Sequence, residues 1–369
     1  MASKKKDVEA LDNAMQEQFR KELGHGDIQE VDKFISTGST LLDYAIANRV
    51  NGGIPVGRIT EICGNPSSGK SLLSYHILAN AQKMGGIGVY LDQERSASGP
   101  FMSRMGIDMN ALIMPKVKPA NIEEVFDYIE KIVKVVKLKI PNKDKPVVIV
   151  WDSVAATEAK EEVEKENTDT SRMAPEARAM SRCFKRNINI LDEGFITIVC
   201  INQLRTKFNV SFGDSDTTPG GKALPFYASV RIKLKPQKQI KDSKTGRTVG
   251  VGARAVIFKN KVAPAHREVL FPLYYDYGIQ DDISILEYFM DSEIITGAAV
   301  KLLKIGEEEF KFRNVEWSDL LHNNKVVSDF VRAKLAEDMV ITFTKKPLLT
   351  IDTDSILEVE QLREDLEEE

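Results

Sequence analysis

Cysteine and histidine are scarce in this 369-residue sequence, at three and four residues. Cys63, Cys183 and Cys200 form an odd set in long, dissimilar contexts, so no disulfide framework follows and a reducing compartment is expected. The histidines are scattered without any Cys/His grouping, which argues against a structural zinc site. No apolar run approaches the roughly 18–20 residues of a membrane span, so no membrane partner is expected. The polar, charged opening MASKKKDVEALDNAMQEQF is not the pattern of a signal peptide. Internal repeats are missing too. The expectation is a soluble, cytoplasmic, globular protein.

A dominant charge sign is also lacking, with 51 Lys+Arg against 55 Asp+Glu and a net charge of -4. Placement says more than the total. Residues 350–369, TIDTDSILEVEQLREDLEEE, carry nine acids and one base, a net -8. Taking -8 from -4 leaves +4 on residues 1–349, a mildly basic body with an acidic tail. Such a block repels itself, and serves either as a solubilising tail or as an electrostatic competitor of a polyanionic partner.

Residues 7–23 place Val8, Leu11, Met15, Phe19 and Leu23 at helical spacing before Gly24 and Gly26, which predicts a short amphipathic helix. From Arg58 to Lys235, strand, turn and helix repeat. Strands are expected over RITEIC, 86–92, 146–153 and 195–202, with helices over 70–83, 122–138 and 176–191. Near-continuous apolar strands separated by helices predict an α/β fold with a mostly parallel sheet covered on both faces. Strands 227–235 and 252–259 alternate more and flank a turn at 242–246, which suits an antiparallel extension at the sheet edge. Helices near 282–290 and 325–337, with short strands between, suggest a small α+β C-terminal domain. The expected division is an arm at 1–30, a core at 31–281, a C-terminal domain at 282–349 and the tail at 350–369.

Gly64, Asn65, Pro66, Ser67, Ser68, Gly69, Lys70 and Ser71 fit G-x-x-x-x-G-K-[ST], with a strand entering and a helix leaving. In such a loop the glycines let successive backbone N–H groups face phosphate oxygens, and the helix adds its positive end. Lys70 would reach the β- and γ-phosphates and Ser71 would offer a hydroxyl to Mg²⁺. Asp152, closing VVIVWD, is the natural carboxylate for the Mg²⁺ shell. Glu94, at the end of the strand over 86–92, is the candidate to polarise an attacking water, with Asp92 and Arg95 as rivals. Gln203 is either a γ-phosphate sensor or a simple strand-end cap.

Two long polar segments, 160–174 and 204–221, interrupt this core, and loops of such length are usually functional or disordered. The second interleaves Arg205 and Lys207 with Phe208 and Phe212, then Gly213, Gly220 and Gly221. Basic groups suit phosphates, and aromatic rings can stack on or wedge between bases, so DNA contact is expected.

The stretches ISTGS, GGIPVGRITEICGNPSSGKS, VIVWDSVAA, INQLRTKFNVSFGDSDTTPGGKALPFYASVR and FKNKVAPAHR, in collinear order across roughly residues 30–280, resemble the bacterial RecA recombinase family. The resemblance implies a RecA-type P-loop ATPase core with an N-terminal polymerisation arm. It implies ATP and Mg²⁺ as cofactors, Glu94 as the catalytic carboxylate, and Gln203 as the switch from γ-phosphate to the second DNA loop. Phe101 and Tyr275 become adenine contacts, Lys259 and Lys261 lysines that cross to the neighbour's ATP, and Phe226 an interface residue. Met173 and Arg178 fall on DNA-contact positions of the first loop. Pro225 departs from the pattern, standing where the family often has an interface lysine. The implied activity is DNA-stimulated ATP hydrolysis by a helical homo-oligomeric filament on single-stranded DNA, which pairs with a homologous duplex and exchanges strands. Implied partners extend to single-stranded-DNA-binding protein and mediator proteins. The source is either bacterial or a bacteriophage, in which case the compartment is the host cytoplasm. Two other readings fit the same motifs: a RecA-like DNA-dependent ATPase without strand exchange, and a filament-forming single-strand-binding mediator.

Overall fold

A strand that is apolar on both faces must be covered on both sides, and that requirement organises this chain. The computed structural model describes residues 15, 17–19, 21–22, 30–139, 145–163, 175–194, 196–206, 216–242 and 244–341. Most of the expected 7–23 helix lies outside these residues, although the six of its residues that are described are helical. Met173, Lys207, Phe208, Phe212 and the tail 350–369 also lie outside them.

From residue 30 onward the chain opens with β1 (Phe34–Ile35) antiparallel to β2 (Ile54–Pro55), flanking the helix Thr40–Ala47. Strands β3 (Ile59–Gly64), β4 (Ile87–Asp92), β5 (Val147–Asp152) and β6 (Ile196–Gln203) follow, separated by helices that include Lys70–Lys83, Ile122–Lys139 and Pro175–Gly194. A two-residue ladder, β7 (Arg205–Thr206) on β8 (Asp216–Thr217), forms the stem of the second long loop. Strands β9 (Val230–Lys241), β10 (Thr248–Asn260), β11 (Arg267–Tyr274) and β12 (Gly278–Ile279) complete one eight-stranded sheet, ordered β12-β11-β10-β9-β3-β6-β5-β4. Strands β9, β3, β6, β5 and β4 pair parallel, whereas β10, β11 and β12 extend the sheet antiparallel.

The period of two decides which layer each side chain joins. In β5, Val148 and Val150 enter the core under the Lys70–Lys83 helix, while Val147, Ile149 and Trp151 enter the opposite core. That second core is covered by Ile122–Lys139, which buries Ile122, Val125, Phe126, Ile129 and Val133, a helical stripe. Asn121 starts this helix, its Oδ1 accepting from the Glu124 N–H at 2.9 Å while its amide donates to the Glu124 carboxylate at 3.1 Å. Trp151 is sealed there edge-on to Phe126, with its Nε1 donating to Thr157 Oγ1 at 3.0 Å.

The hairpin between β9 and β10 is longer than its alternating pattern predicts. Asp242 Oδ1 accepts from the N–H groups of Lys244 and Thr245 and from the Thr245 hydroxyl, so the turn is built by one side chain and both strands extend to meet it. Tyr227 is not in a strand as expected. It ends a short helix, Ala223–Tyr227, where its ring stacks on Phe184 at 5.2 Å. Beyond the sheet come the helix Asp281–Asp291, an antiparallel sheet of β13 (Ile295–Thr296), β14 (Lys301–Ile305) and β15 (Glu308–Phe312), and the helices Trp317–Asn323 and Lys325–Met339. Their apolar faces join the core on the Lys70–Lys83 side.

His76 pins that helix to the sheet edge, its Nε2 accepting the Ile279 N–H at 3.0 Å. Burial, then the nearby Lys83 cation, pushes its imidazole down to about 4. A depressed folded value means that the unfolded chain takes up the proton first. His76 therefore contributes stability that is complete above about pH 6.5 and is lost as pH falls toward 4. Replacing His76 by Gln should flatten the loss of urea midpoint between these pH values; an unchanged slope would refute this assignment.

Candidate nucleotide site

Parallel pairing carries four strand ends to one edge of the sheet. Gly64 at the end of β3 pairs with Gln203 at the end of β6, and Asp152 at the end of β5 pairs with Asp92 at the end of β4. Ligand sites of open α/β sheets form outside such carboxyl ends, because the loops there leave their polar groups unspent. Here a cavity of about 270 Å³ is lined by Pro66–Leu72, Glu94, Asp152 and Gln203.

The phosphate-type loop needs glycine where it turns into the helix. Gly69 has φ +90° and a Cβ there would lie 2.2 Å from Leu273 Cδ1. Lys70 Nζ donates to the Asn65 carbonyl at 2.8 Å, which draws the ammonium back across the loop. Burial lowers the Lys70 pKa, with the Asp152 and Glu94 carboxylates opposing that shift. Ser68 Oγ is buried without a partner within the described structure, a donor and acceptor left to whatever enters the loop.

Asp152 is buried, and its Oδ2 accepts from Ser71 Oγ at 2.7 Å and from the Tyr90 hydroxyl at 2.7 Å. Burial raises its pKa, the two hydroxyl donors pull it back, and the Glu94 and Asp92 charges raise it again. Tyr90 was not foreseen. It lies in the apolar run of β4, where alternation turns it toward the Lys70–Lys83 helix and Tyr75, 5.6 Å away ring to ring.

Of the three candidates at the end of β4 and just beyond it, Glu94 alone lines the cavity. Asp92 is spent on the following turn, accepting from the N–H groups of Ser96 and Ala97. Glu94 Oε1 accepts from Ser153 Oγ and, at 3.2 Å, from Gln203 Nε2. Two donors on one oxygen fix that carboxylate between the ends of β5 and β6.

The other expected residues divide into three groups. Phe101 lies edge-on to Tyr75 at 6.0 Å, and Tyr275 is half exposed just past Leu273, the residue that touches Gly69. An Arg104–Asp276 ion pair at 3.9 Å ties their two segments together, although neither ring lines the phosphate-loop cavity. Lys259, Lys261 and Phe226 gather at the edge where the parallel strands begin. Lys259 Nζ donates to the carbonyls of Pro225 and Phe226, and Lys261 Nζ lies 5.9 Å from the Phe226 ring centre. Phe226 is 68% exposed, so the ring is presented outward beside two cations. Arg178 forms an ion pair with Glu161 at 3.3 Å. Arg205 lies in the stem ladder, and Gly220 and Gly221 follow it with positive φ. At Gly221 a Cβ would come within 2.5 Å of Ala177 Cβ, so the absent side chain lets the second loop seat on the helix that follows the first.

Among the described residues no helix is long and apolar enough to cross a membrane. The model of the RecA N-terminal domain matches residues 5–280. The chain is 33% identical to Protein RecA of Streptomyces venezuelae over 341 residues, covering 89% of this chain and 84% of that one. It is 32% identical to Protein RecA of Caldanaerobacter subterraneus subsp. tengcongensis over 352 residues, 94% of this chain and 97% of the relative. Against Protein RecA of Cutibacterium acnes identity is 37% over 294 residues, 78% and 80% of the two chains. With the phosphate-type loop at the parallel edge and matches of this extent, the chain belongs to the RecA family.

Proposed function

We propose that this protein is an ATP-dependent homologous recombinase, which polymerises on single-stranded DNA, pairs it with a homologous duplex and exchanges strands. The observation that carries this reading is the hydrogen bond between Gln203 and Glu94, because it joins the nucleotide cavity to the first residues of the 204–221 loop. Gly64–Ser71 would hold the phosphates of ATP, with Lys70 as the point charge and Ser68 Oγ as an unspent polar group. Ser71 Oγ and Asp152 Oδ2, hard oxygen donors already 2.7 Å apart, would hold Mg²⁺. When bound, ATP·Mg²⁺ supplies a γ-phosphoryl group whose charge the metal spreads and whose transfer to water is strongly favourable. Glu94, clamped by Ser153 and Gln203, orients the attacking water and accepts its proton. Phe101 and Tyr275 would flank the base.

Lys259 and Lys261 sit at the edge away from their own phosphate loop, so any contact with nucleotide is made to the neighbouring subunit in a head-to-tail stack, with Phe226 packing at that junction. Arg178, Arg205, Gly220 and Gly221, with Met173, Lys207, Phe208 and Phe212, would line the DNA path. Single-stranded-DNA-binding protein and mediator proteins are the further partners of such a filament, and the cytoplasm is its compartment. Joint-molecule formation between a circular single strand and a linear duplex tests the reading. It should require ATP, and its failure alongside DNA-stimulated ATPase would leave only an ATPase.

Glu94→Gln should lower ATP turnover at least about 100-fold while preserving ATP and DNA binding, which gives persistent filaments. Unchanged turnover would remove Glu94 from the mechanism. Burial, then the Lys261 and Arg231 cations, pushes the Lys259 ammonium down to about 8, against the pull of Glu61. Its positive charge is therefore lost as pH rises through that value. DNA-dependent turnover should decline between about pH 7.5 and 9, and Lys259→Arg should flatten the decline because guanidinium stays charged. Equal decline in both proteins would exclude Lys259 as the titrating group.

A further inference from the structure

The central strand β3 carries a carboxylate, Glu61, which is fully buried three residues before the phosphate loop. A buried charge is costly unless its oxygens are matched by donors. Glu61 is matched by two residues that the nucleotide cavity does not use. Arg231, its parallel neighbour on β9, donates Nε to Oε2, and Asn202 on β6 donates Nδ2 to Oε1 at 2.9 Å. Both partners also reach the return limb of the 204–221 loop. Asn202 Nδ2 lies 3.2 Å from the Pro219 carbonyl, and Arg231 donates to Thr218 Oγ1 at 3.4 Å. Lys233, two residues along the same face of β9, donates to Asp216 Oδ2 at 3.1 Å in the loop stem. Phe258 on β10 lies beneath both cations, 4.5 Å from Arg231 and 5.5 Å from Lys233.

The same cluster touches the other limb of the loop. Asn202 Oδ1 accepts the Gln203 N–H at 3.0 Å, and Gln203 is the residue bonded to Glu94. Hydrogen bonds therefore run without interruption from Glu94 through Gln203, Asn202, Glu61 and Arg231 to Thr218. We propose that Glu61, Asn202 and Arg231 are positioning residues that hold both limbs of the 204–221 loop in one register and so couple occupancy of that loop by single-stranded DNA to the placement of Gln203 and Glu94. None of the three lines the cavity. Their role is distinct from nucleotide contact, and the coupling rests on the recombinase reading above.

The test compares Glu61→Gln, which removes the charge, with Thr218→Val, which removes only the loop hydroxyl and leaves the Glu61–Arg231 pair whole. ATP turnover is measured with and without saturating single-stranded DNA, alongside ATP affinity without DNA and the unfolding midpoint. Stimulation by DNA should fall about tenfold in Glu61→Gln and several-fold in Thr218→Val, with DNA-free ATP affinity within about twofold of the parent. The double variant should be no worse than Glu61→Gln alone, because both interrupt one path. Wild-type stimulation in Thr218→Val overturns the proposal even where Glu61→Gln fails to fold. So do additive losses in the double variant, or ATP affinity falling in step with stimulation. A parent protein whose turnover ignores DNA overturns the recombinase reading as well, a result distinct from a stimulated parent with indifferent variants.

Discussion

Most of the polar chemistry in this core stands at the two ends of a sheet whose middle is buried. Strands β3 and β5 are buried from end to end and β6 from Ile196 to Asn202, so chemistry gathers where these strands start and where they stop. At the stopping end stand the phosphate loop, Asp152, Glu94 and Gln203. Phe226, Lys259 and Lys261 stand at the starting end. Glu61 is a carboxylate in the buried middle, and the donors that it demands bind three strands and the return limb of the 204–221 loop into one unit.

This confinement explains why hydroxyls matter here as much as charges do. Asp152 is held by Ser71 and Tyr90, and Glu94 by Ser153, before any cation is involved. Hydroxyl donors satisfy a buried carboxylate without neutralising it, which leaves negative charge available for a metal. A cation in their place would neutralise the carboxylate instead.

The parallel sheet, its antiparallel extension and the phosphate loop were legible in the sequence because each depends on local signals: apolar runs, alternation and glycine spacing. Tyr90, Asn202, Glu61 and Arg231 were not legible as a site. Their partners are 62, 141 and 170 residues away along the chain, in contacts that only the pairing of β4 with β5 and of β3 with β6 and β9 creates. Strand β11 is not legible because Pro272 interrupts its pattern and it alternates poorly; it gains its place by pairing with β10. Tyr227 opens the alternating stretch 227–235, yet it ends the helix Ala223–Tyr227, where packing on Phe184 outweighs the alternation. Strand position alone leaves Glu94 and Asp92 open, the family resemblance points to Glu94, and the contacts of the two side chains differ accordingly, Glu94 lying at the cavity and Asp92 in the following turn.

The placement of Phe226, Lys259 and Lys261 on the edge remote from the phosphate loop carries an arithmetic consequence. On the proposed reading a complete site is a junction, not a subunit, so a stack of n chains has n−1 of them. One terminal chain always keeps a phosphate loop with no lysines opposite, and the other keeps lysines with nothing to reach. Two ends that are chemically different give the polymer a direction, and growth and loss need not proceed alike at both.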